Sequence, residues 1–322
     1  MDARPRIALT GATGFVGQAL LPMLLAGGQS VRALARAQKN RSLTEQPGLD
    51  WIGGELTDIS ALQSLTAGAG VVIHLAGVTR ARSAAVFDAV NAQQTAALVA
   101  AARAAGVNHF VHVSSLTASR PEVSAYARSK ADSEHLAREQ AGDMPLTIVR
   151  APAILGPGDT ATQPVLSLLA AGLLPIPGGR AGDFRFSMMD VLDLSRYLQA
   201  LAAVSAGGHR LLTPAGHLRV GWDDLADSAA RVTGRRIRKL YLPPFLMQGA
   251  GYLADFAGTI SANPQVFSSG KVREMLSGDW IAETQIDAPL QLQETLARCL
   301  APFLASGRQS GGDGRQPYGS DT

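Results

Sequence analysis

The chain has 322 residues, 46% of them hydrophobic and 17% charged, with a formal net charge of +3. That balance suits a well-buried α/β core, excludes broad disorder and leaves no electrostatic footprint for nucleic acid. The single cysteine, Cys299, excludes an intramolecular disulfide and any cysteine-built metal cluster, so no metal is expected.

The apolar stretch after Met1 is too short for a secretory signal, and no apolar run reaches spanning length. The sequence therefore reads as a soluble, cytoplasmic protein with no membrane span. Its first half alternates short β-like runs with longer helical patterns. Strands are expected over residues 6–10, 30–35, 49–53, 71–75, 110–114 and 146–150, with helices over 14–26, 61–65, 84–105 and 125–140. Six strands in that rhythm fit an α/β fold, a doubly wound parallel Rossmann sheet over residues 1–150. After Arg150 the rhythm breaks and Pro and Gly cluster, at Pro152, Gly156-Pro157-Gly158 and Pro177-Gly178-Gly179. Residues 151–305 read as a smaller C-terminal substrate-binding region, with segments such as 188–203 returning to the sheet. The Gly- and Ser-rich tail, 306–322, is expected to be disordered.

The first strand runs into Gly11-Ala12-Thr13-Gly14-Phe15-Val16-Gly17 and then an apolar helix. A glycine turn in that place brings backbone N–H groups and a helix N-terminus against a pyrophosphate. Gly11 permits the turn, Gly14 the approach of the phosphate, and Gly17 the close packing of helix on strand. Residues 1–150 are thus an NAD(P)-binding domain. The second strand ends in Arg36, followed by Lys39 and Arg41 and no acidic residue, which favours NADP over NAD because an arginine there accommodates a 2′-phosphate.

The GxxGxxG spacing resembles the extended short-chain dehydrogenase/reductase family, which includes the NAD-dependent epimerase/dehydratases. The resemblance covers about the first two hundred residues well. It implies cofactor contacts at Gly11, Thr13, Gly14, Phe15, Val16 and Gly17, and at Glu55 and Leu56, where Gly54-Glu55-Leu56 stands for the family's adenine-binding Gly-Asp-Leu/Ile. It extends them to Leu75, Ala76 and Gly77 after the fourth strand and to Pro152, and assigns Asn91 a structural role. His74 reads as a strand-end histidine without chemistry.

Tyr126 and Lys130 fall at i and i+4 on one helix face. A free tyrosine ionises near 10, and a neighbouring ammonium lowers that value. Just upstream, Ser114-Ser115 ends a strand. Aligned from that strand, Ser115 matches the family's catalytic serine, and Ser114 reads as the strand-end cap. The set implies hydride transfer between nicotinamide and a carbonyl or carbinol carbon, with Tyr126 as general acid/base, Lys130 tuning it and holding the nicotinamide ribose, and Ser115 polarising the carbonyl.

The match thins beyond the site. The loop from Leu116 to Ala125 is shorter than in many sugar-nucleotide epimerases, Ala153 stands near their substrate-holding Asn, and Arg185 alone offers an anion contact. Arg235-Arg236-Ile237-Arg238-Lys239 reads as a solvated strand edge, and residues 242–260 as a buried or pocket-lining helix that favours an apolar substrate. The leading function is an oxidoreductase acting on a small-molecule carbonyl compound. A nucleotide-sugar epimerase or dehydratase with retained NAD, and a non-enzymatic nucleotide-binding assembly or sensor protein, are the alternatives. The resemblance also implies a homodimer through two helices, one of them bearing Tyr126.

Overall fold

Four buried side chains in succession, Ile7–Thr10, mark the centre of the sheet, because a strand covered by helices on both faces has no solvated side. The structure, a computed structural model, describes residues 5–36, 46–204, 207–261 and 268–309; Lys39 and Arg41 lie outside them. From this strand, β1, the chain runs through α1 (Phe15–Ala26), β2 (Val31–Ala35), β3 (Leu49–Gly53), α2 (Ile59–Thr66), β4 (Val71–His74) and α3 (Ala84–Phe87). A π-helical segment, Asp88–Gln93, leads into α4 (Gln94–Ala104), β5 (His109–Ser115), α5 (Ala125–Ala141) and β6 (Leu146–Ala151). The second half holds β7 (Ala153–Leu155), α6 (Gln163–Ala170), β8 (Leu173–Pro177), β9 (Phe186–Asp190), α7 (Val191–Ala203), β10 (His209–Leu212), β11 (Pro214–Ala215) and β12 (His217–Val220). It closes with α8 (Trp222–Thr233), β13 (Arg238–Leu242), α9 (Pro244–Ser261), α10 (Ser269–Leu276), β14 (Thr284–Gln285) and α11 (Leu292–Gln309).

The seven-stranded sheet has the order β10-β6-β5-β4-β1-β2-β3 and is parallel throughout. Alternate residues of β1 serve opposite cores. Ile7 and Leu9 join Leu20, Leu24, Leu194 and Leu198 of α1 and α7, while Ala8 joins Leu62, Leu65, Leu98 and Val99 of α2 and α4. The strand order reverses between β1 and β4, and the crevice at their carboxyl ends is where an open α/β sheet receives a ligand.

The second half builds its own core from Leu155, Leu166, Leu169, Leu174, Leu225, Ala229, Leu296 and Leu300. Asp190 joins it to the sheet. Its carboxylate caps α7 through the Leu192 amide at 2.8 Å and accepts from Thr295 at 2.7 Å and Arg298 at 2.9 Å, both on α11.

Several expectations are corrected. The helix over 84–105 is continuous but not α-helical throughout, because the turn holding Asn91 is widened by one residue into a π segment. Residues 188–203 come back to the main sheet through a helix on its face and not as one of its strands. β9 pairs with β7 and β12 in a separate sheet, α7 packs on α1, and the returning strand is β10, whose Leu211 lies beside Ile148. The basic run enters a strand only at Arg238, and β13 pairs with β8 alone, its five residues all exposed. α9 is not a buried helix, since Phe245, Leu246 and Leu253 are exposed. α11 continues to Gln309, past Ser306 where the tail was expected; residues 310–322 lie outside the described residues.

Buried histidines run beneath the site. His74 bonds Thr10 at 2.6 Å and Thr95 at 2.9 Å, His112 stacks on it at 5.4 Å and bonds Ser133, and His109 bonds Thr147. Burial favours the neutral rings: His74 is pushed down to about 3 and His109 to about 4, from 6.5, and His112 well below 6.5. Below pH 6.5 the unfolded chain gains protons that the folded chain refuses, so stability is full above 6.5 and is lost as the pH falls toward 4, by up to about 1.4 kcal/mol per unit for each ring. Urea unfolding at pH 7 and pH 4.5 should show this loss, with a shallower slope in His109→Gln. Equal slopes in the two proteins would contradict the assignment.

Candidate active site

The turn after β1 needs each glycine for a different reason. Gly11 has φ +72°, and a Cβ there would meet the Ala76 nitrogen and the Leu75 carbonyl carbon at 2.8 Å. A Cβ on Gly17 would lie 2.1 Å from the Gly11 oxygen, so α1 can cross this close to the turn only without a side chain. Gly14 closes the turn through its N–H to the Gly11 carbonyl, 2.9 Å, and is the N-cap of α1. No side chain caps that terminus and its first turn holds no acid, so its positive end faces the crevice uncompensated.

On the other side of the crevice, the chain leaving β4 through Leu75, Ala76 and Gly77 is held by its neighbours. Ala76 N–H donates to Thr10 Oγ1 at 3.3 Å. Asn91 accepts from the Val78 N–H at 2.8 Å, donates to the Val78 carbonyl at 3.0 Å and donates to Ser129 of α5 at 3.0 Å. Its structural role, expected from the sequence, is thus visible as a brace between the β4 loop and α5. Arg36 and Glu55 lie exposed at the far end, after β2 and β3, Leu56 is buried against Leu34 and Leu62, and Pro152 is buried between β6 and β7.

Ser124 starts α5 by accepting from the Ala127 N–H at 3.0 Å, and donates to Glu274 of α10 at 2.6 Å. This fixes Tyr126 in the first turn, its ring 5.9 Å from Phe87 and its phenol near enough to Ser115 for that side chain to act on its acidity. Burial pushes the phenol up to about 12; the Ser115 hydroxyl opposes the shift and the Glu274 carboxylate adds to it. Lys130 is buried one turn on and donates to the Val113 carbonyl at 3.0 Å. Burial brings its amine down to about 8, against the pull of Glu134. The ammonium is therefore held by β5, and burial, Ser115 and Glu274 are what move Tyr126.

The capping role expected of Ser114 falls to Ser115, which keeps its place beside Tyr126. Ser115 accepts from the Thr117 N–H at 3.3 Å. Ser114 instead donates to the buried Glu134 at 2.6 Å. Glu134, missed at the sequence level, also takes Arg150 through both oxygens, at 2.7 and 2.9 Å. Its signal was present: Tyr126, Lys130 and Glu134 repeat at i, i+4 and i+8, one stripe of α5. Arg185 turns to the carbonyl of Asp183 at 2.9 Å, close to Gly221.

Chemically, the crevice offers an anion cradle on α1, two neighbouring hydroxyls at the end of β5, and an amine beneath them. A family model for the NAD dependent epimerase/dehydratase family matches residues 7–209. A ceramide reductase of Caulobacter vibrioides is 37% identical over 290 residues, 90% of this chain and 89% of that protein. Sterol demethylase protein B of Methylococcus capsulatus is 31% identical over 270 residues, 77% of this chain and 80% of its own length. The solved structure of MoeE5 in complex with UDP-glucuronic acid and NAD shares the fold with a TM-score of 0.66, at 22% identity over 95% of this chain and 99% of that one.

Removing one member of a buried ion pair strands the other, which costs about 3–5 kcal/mol. Glu134→Ala should lose that much in urea unfolding, and Glu134→Gln combined with Arg150→Met should lose less. A single variant within about 0.5 kcal/mol of the parent would refute the role given to the pair.

Proposed function

The chain belongs to the NAD-dependent epimerase/dehydratase family and is an enzyme of the extended short-chain dehydrogenase type; from that membership we propose a reductase of lipid carbonyl groups that uses NADP. The observation that carries the reading is the proximity of the Ser115 and Tyr126 hydroxyls at the end of β5, above Lys130 and across from the uncapped end of α1.

The cradle fits a dinucleotide, because its glycines leave backbone where side chains would fill the space. Gly11, Thr13, Gly14, Phe15, Val16 and Gly17 would hold the pyrophosphate. Arg36, Glu55 and Leu56 would flank the adenosine, and Leu75, Ala76, Gly77 and Pro152 the nicotinamide half. When bound, the nicotinamide supplies the carbon that gives or takes a hydride. Ser115 donates a hydrogen bond to the substrate oxygen, and Tyr126 delivers the proton to that oxygen as its carbon is reduced. A phenol at about 12 is protonated at neutral pH, the form the acid role requires. Lys130, released from the Val113 carbonyl, would hold the nicotinamide ribose and stabilise the tyrosinate left behind.

Arg36, exposed after β2 with no acid beside it in sequence, supports NADP; the family and its fold neighbours are otherwise associated with NAD. Ceramide and sterols are both lipids, and relatives named for them support a lipid substrate. The fold likeness to MoeE5 keeps a nucleotide-sugar epimerase with retained NAD as the second reading. A cytoplasmic enzyme and a homodimer through a helix pair that includes α5 complete the proposal.

Tyr126→Phe should lower the rate of ketone reduction by about 10²–10⁴ while NADPH affinity stays within a few-fold. Unchanged turnover would refute the acid role. Loss of the Lys130 proton should reduce activity above about pH 8. Calorimetry should give tighter NADPH than NADH binding, with Arg36→Asp reversing the order; an equal preference in both proteins would remove the argument for NADP.

A further inference from the structure

Helix α9 carries its apolar side outward. Met247 and Gly251, one turn apart, face the protein. A Cβ on Gly251 would meet the Cα and N of Ser269 at 3.0 and 3.1 Å, so α9 is pressed against α10 at that point. The opposite side holds Phe245, Leu246 and Leu253, exposed at 69%, 54% and 71%, with the exposed Gly249 and Ala250 between them. At ~100° per residue these five positions span an arc of about 140°. β13, which leads directly into α9, adds the exposed Leu240, Tyr241 and Leu242.

The rim of this patch is cationic. From Arg235 to Ala254 the sequence contains Arg235, Arg236, Arg238 and Lys239 and no acidic residue. Lys239 pairs with Asp223 and Arg235 reaches the Ala170 carbonyl; Arg236 and Arg238 lie exposed. Strand alternation puts Arg238 on the same side of β13 as Leu240 and Leu242.

We infer that the β13–α9 face docks on an anionic lipid bilayer, with Phe245, Leu246 and Leu253 at the acyl boundary and the arginines among the phosphates. Large exposed apolar side chains beside clustered arginines are complementary to that surface. A second copy of the same face would set arginines against arginines. No helix among the described residues is long and apolar enough to cross a membrane, so α9 lies in the plane of the interface. The face is also one helix from the chemistry: α10, on which α9 packs, supplies the Glu274 carboxylate that takes Ser124 and acts on Tyr126. Delivery of substrate from the bilayer to Tyr126 rests on the lipid reading above; the docking does not.

The test is flotation of the full chain with vesicles of phosphatidylcholine alone or with added phosphatidylglycerol. Binding should require the anionic lipid and fall as salt is raised. Phe245→Ser with Leu253→Ser should weaken it more than ten-fold, and Arg236→Gln and Arg238→Gln about five-fold each. All variants should keep the parent's melting temperature and NADPH affinity, since these side chains are exposed. Absence of binding, equal binding to both vesicles, or self-association abolished by the serine variant would overturn the proposal. NADPH-dependent reduction of a lipid ketone in detergent separates the two claims. Reduction without docking sinks the docking alone, and docking without reduction sinks the lipid reading alone.

Discussion

Glu134 places a carboxylate on the buried face of α5, and a charge there persists only when its oxygens are engaged. Arg150 reaches it from the end of β6 and Ser114 from the end of β5, so the three elements meet at one group. The consequences run up the helix in steps of one turn. Lys130 loses its hydration on burial and recovers part of that cost from Glu134. Tyr126, another turn on, stands over the end of β5 because Ser124 fixes where the helix begins. With Ser114 committed to Glu134, Ser115 is the hydroxyl beside Tyr126. The site therefore depends on a buried network that never touches the crevice.

The first half of the fold is legible in the sequence because its two periods are clear. Short apolar runs such as Ile7–Thr10 read as buried strands, and Gly11, Gly14 and Gly17 mark the one turn where helix, strand and loop must nearly touch. Ser115, Tyr126 and Lys130 were legible as a set because their order along the chain matches a known pattern, and the structure does bring them together. What failed had no local signature. β10 joins the sheet beside β6 only after β7, α6, β8, β9 and α7 have intervened, with Arg210 reaching Thr147, and nothing in His209–Leu212 announces its partner. The π segment at Asn91 departs from a helix by one residue. That Ser114 does not cap the strand end depends on Glu134, distant from it along the chain. α9 was read as a buried or pocket-lining helix; Phe245, Leu246 and Leu253 are exposed, and composition alone does not say which face is covered.

The electrostatics of the site hold Tyr126 in its protonated form. Burial and the Glu274 carboxylate keep the Tyr126 proton in place, and only Ser115 works against them. A phenol held above its ordinary value is the weaker acid and its tyrosinate the stronger base, so the proton leaves only for an oxygen on which charge develops. The same low dielectric keeps His74 and His112 neutral below Lys130, so the amine carries the positive charge of the cluster alone.

The most direct test of a reductase at this site follows the hydride itself. Turnover of a lipid ketone with NADPH carrying deuterium at the transferred position of nicotinamide C4 should place the label on the carbinol carbon of the product, in one-to-one ratio with NADPH consumed. Label that stays on the dinucleotide while a substrate stereocentre inverts would contradict the account and identify an epimerase built on the same three residues.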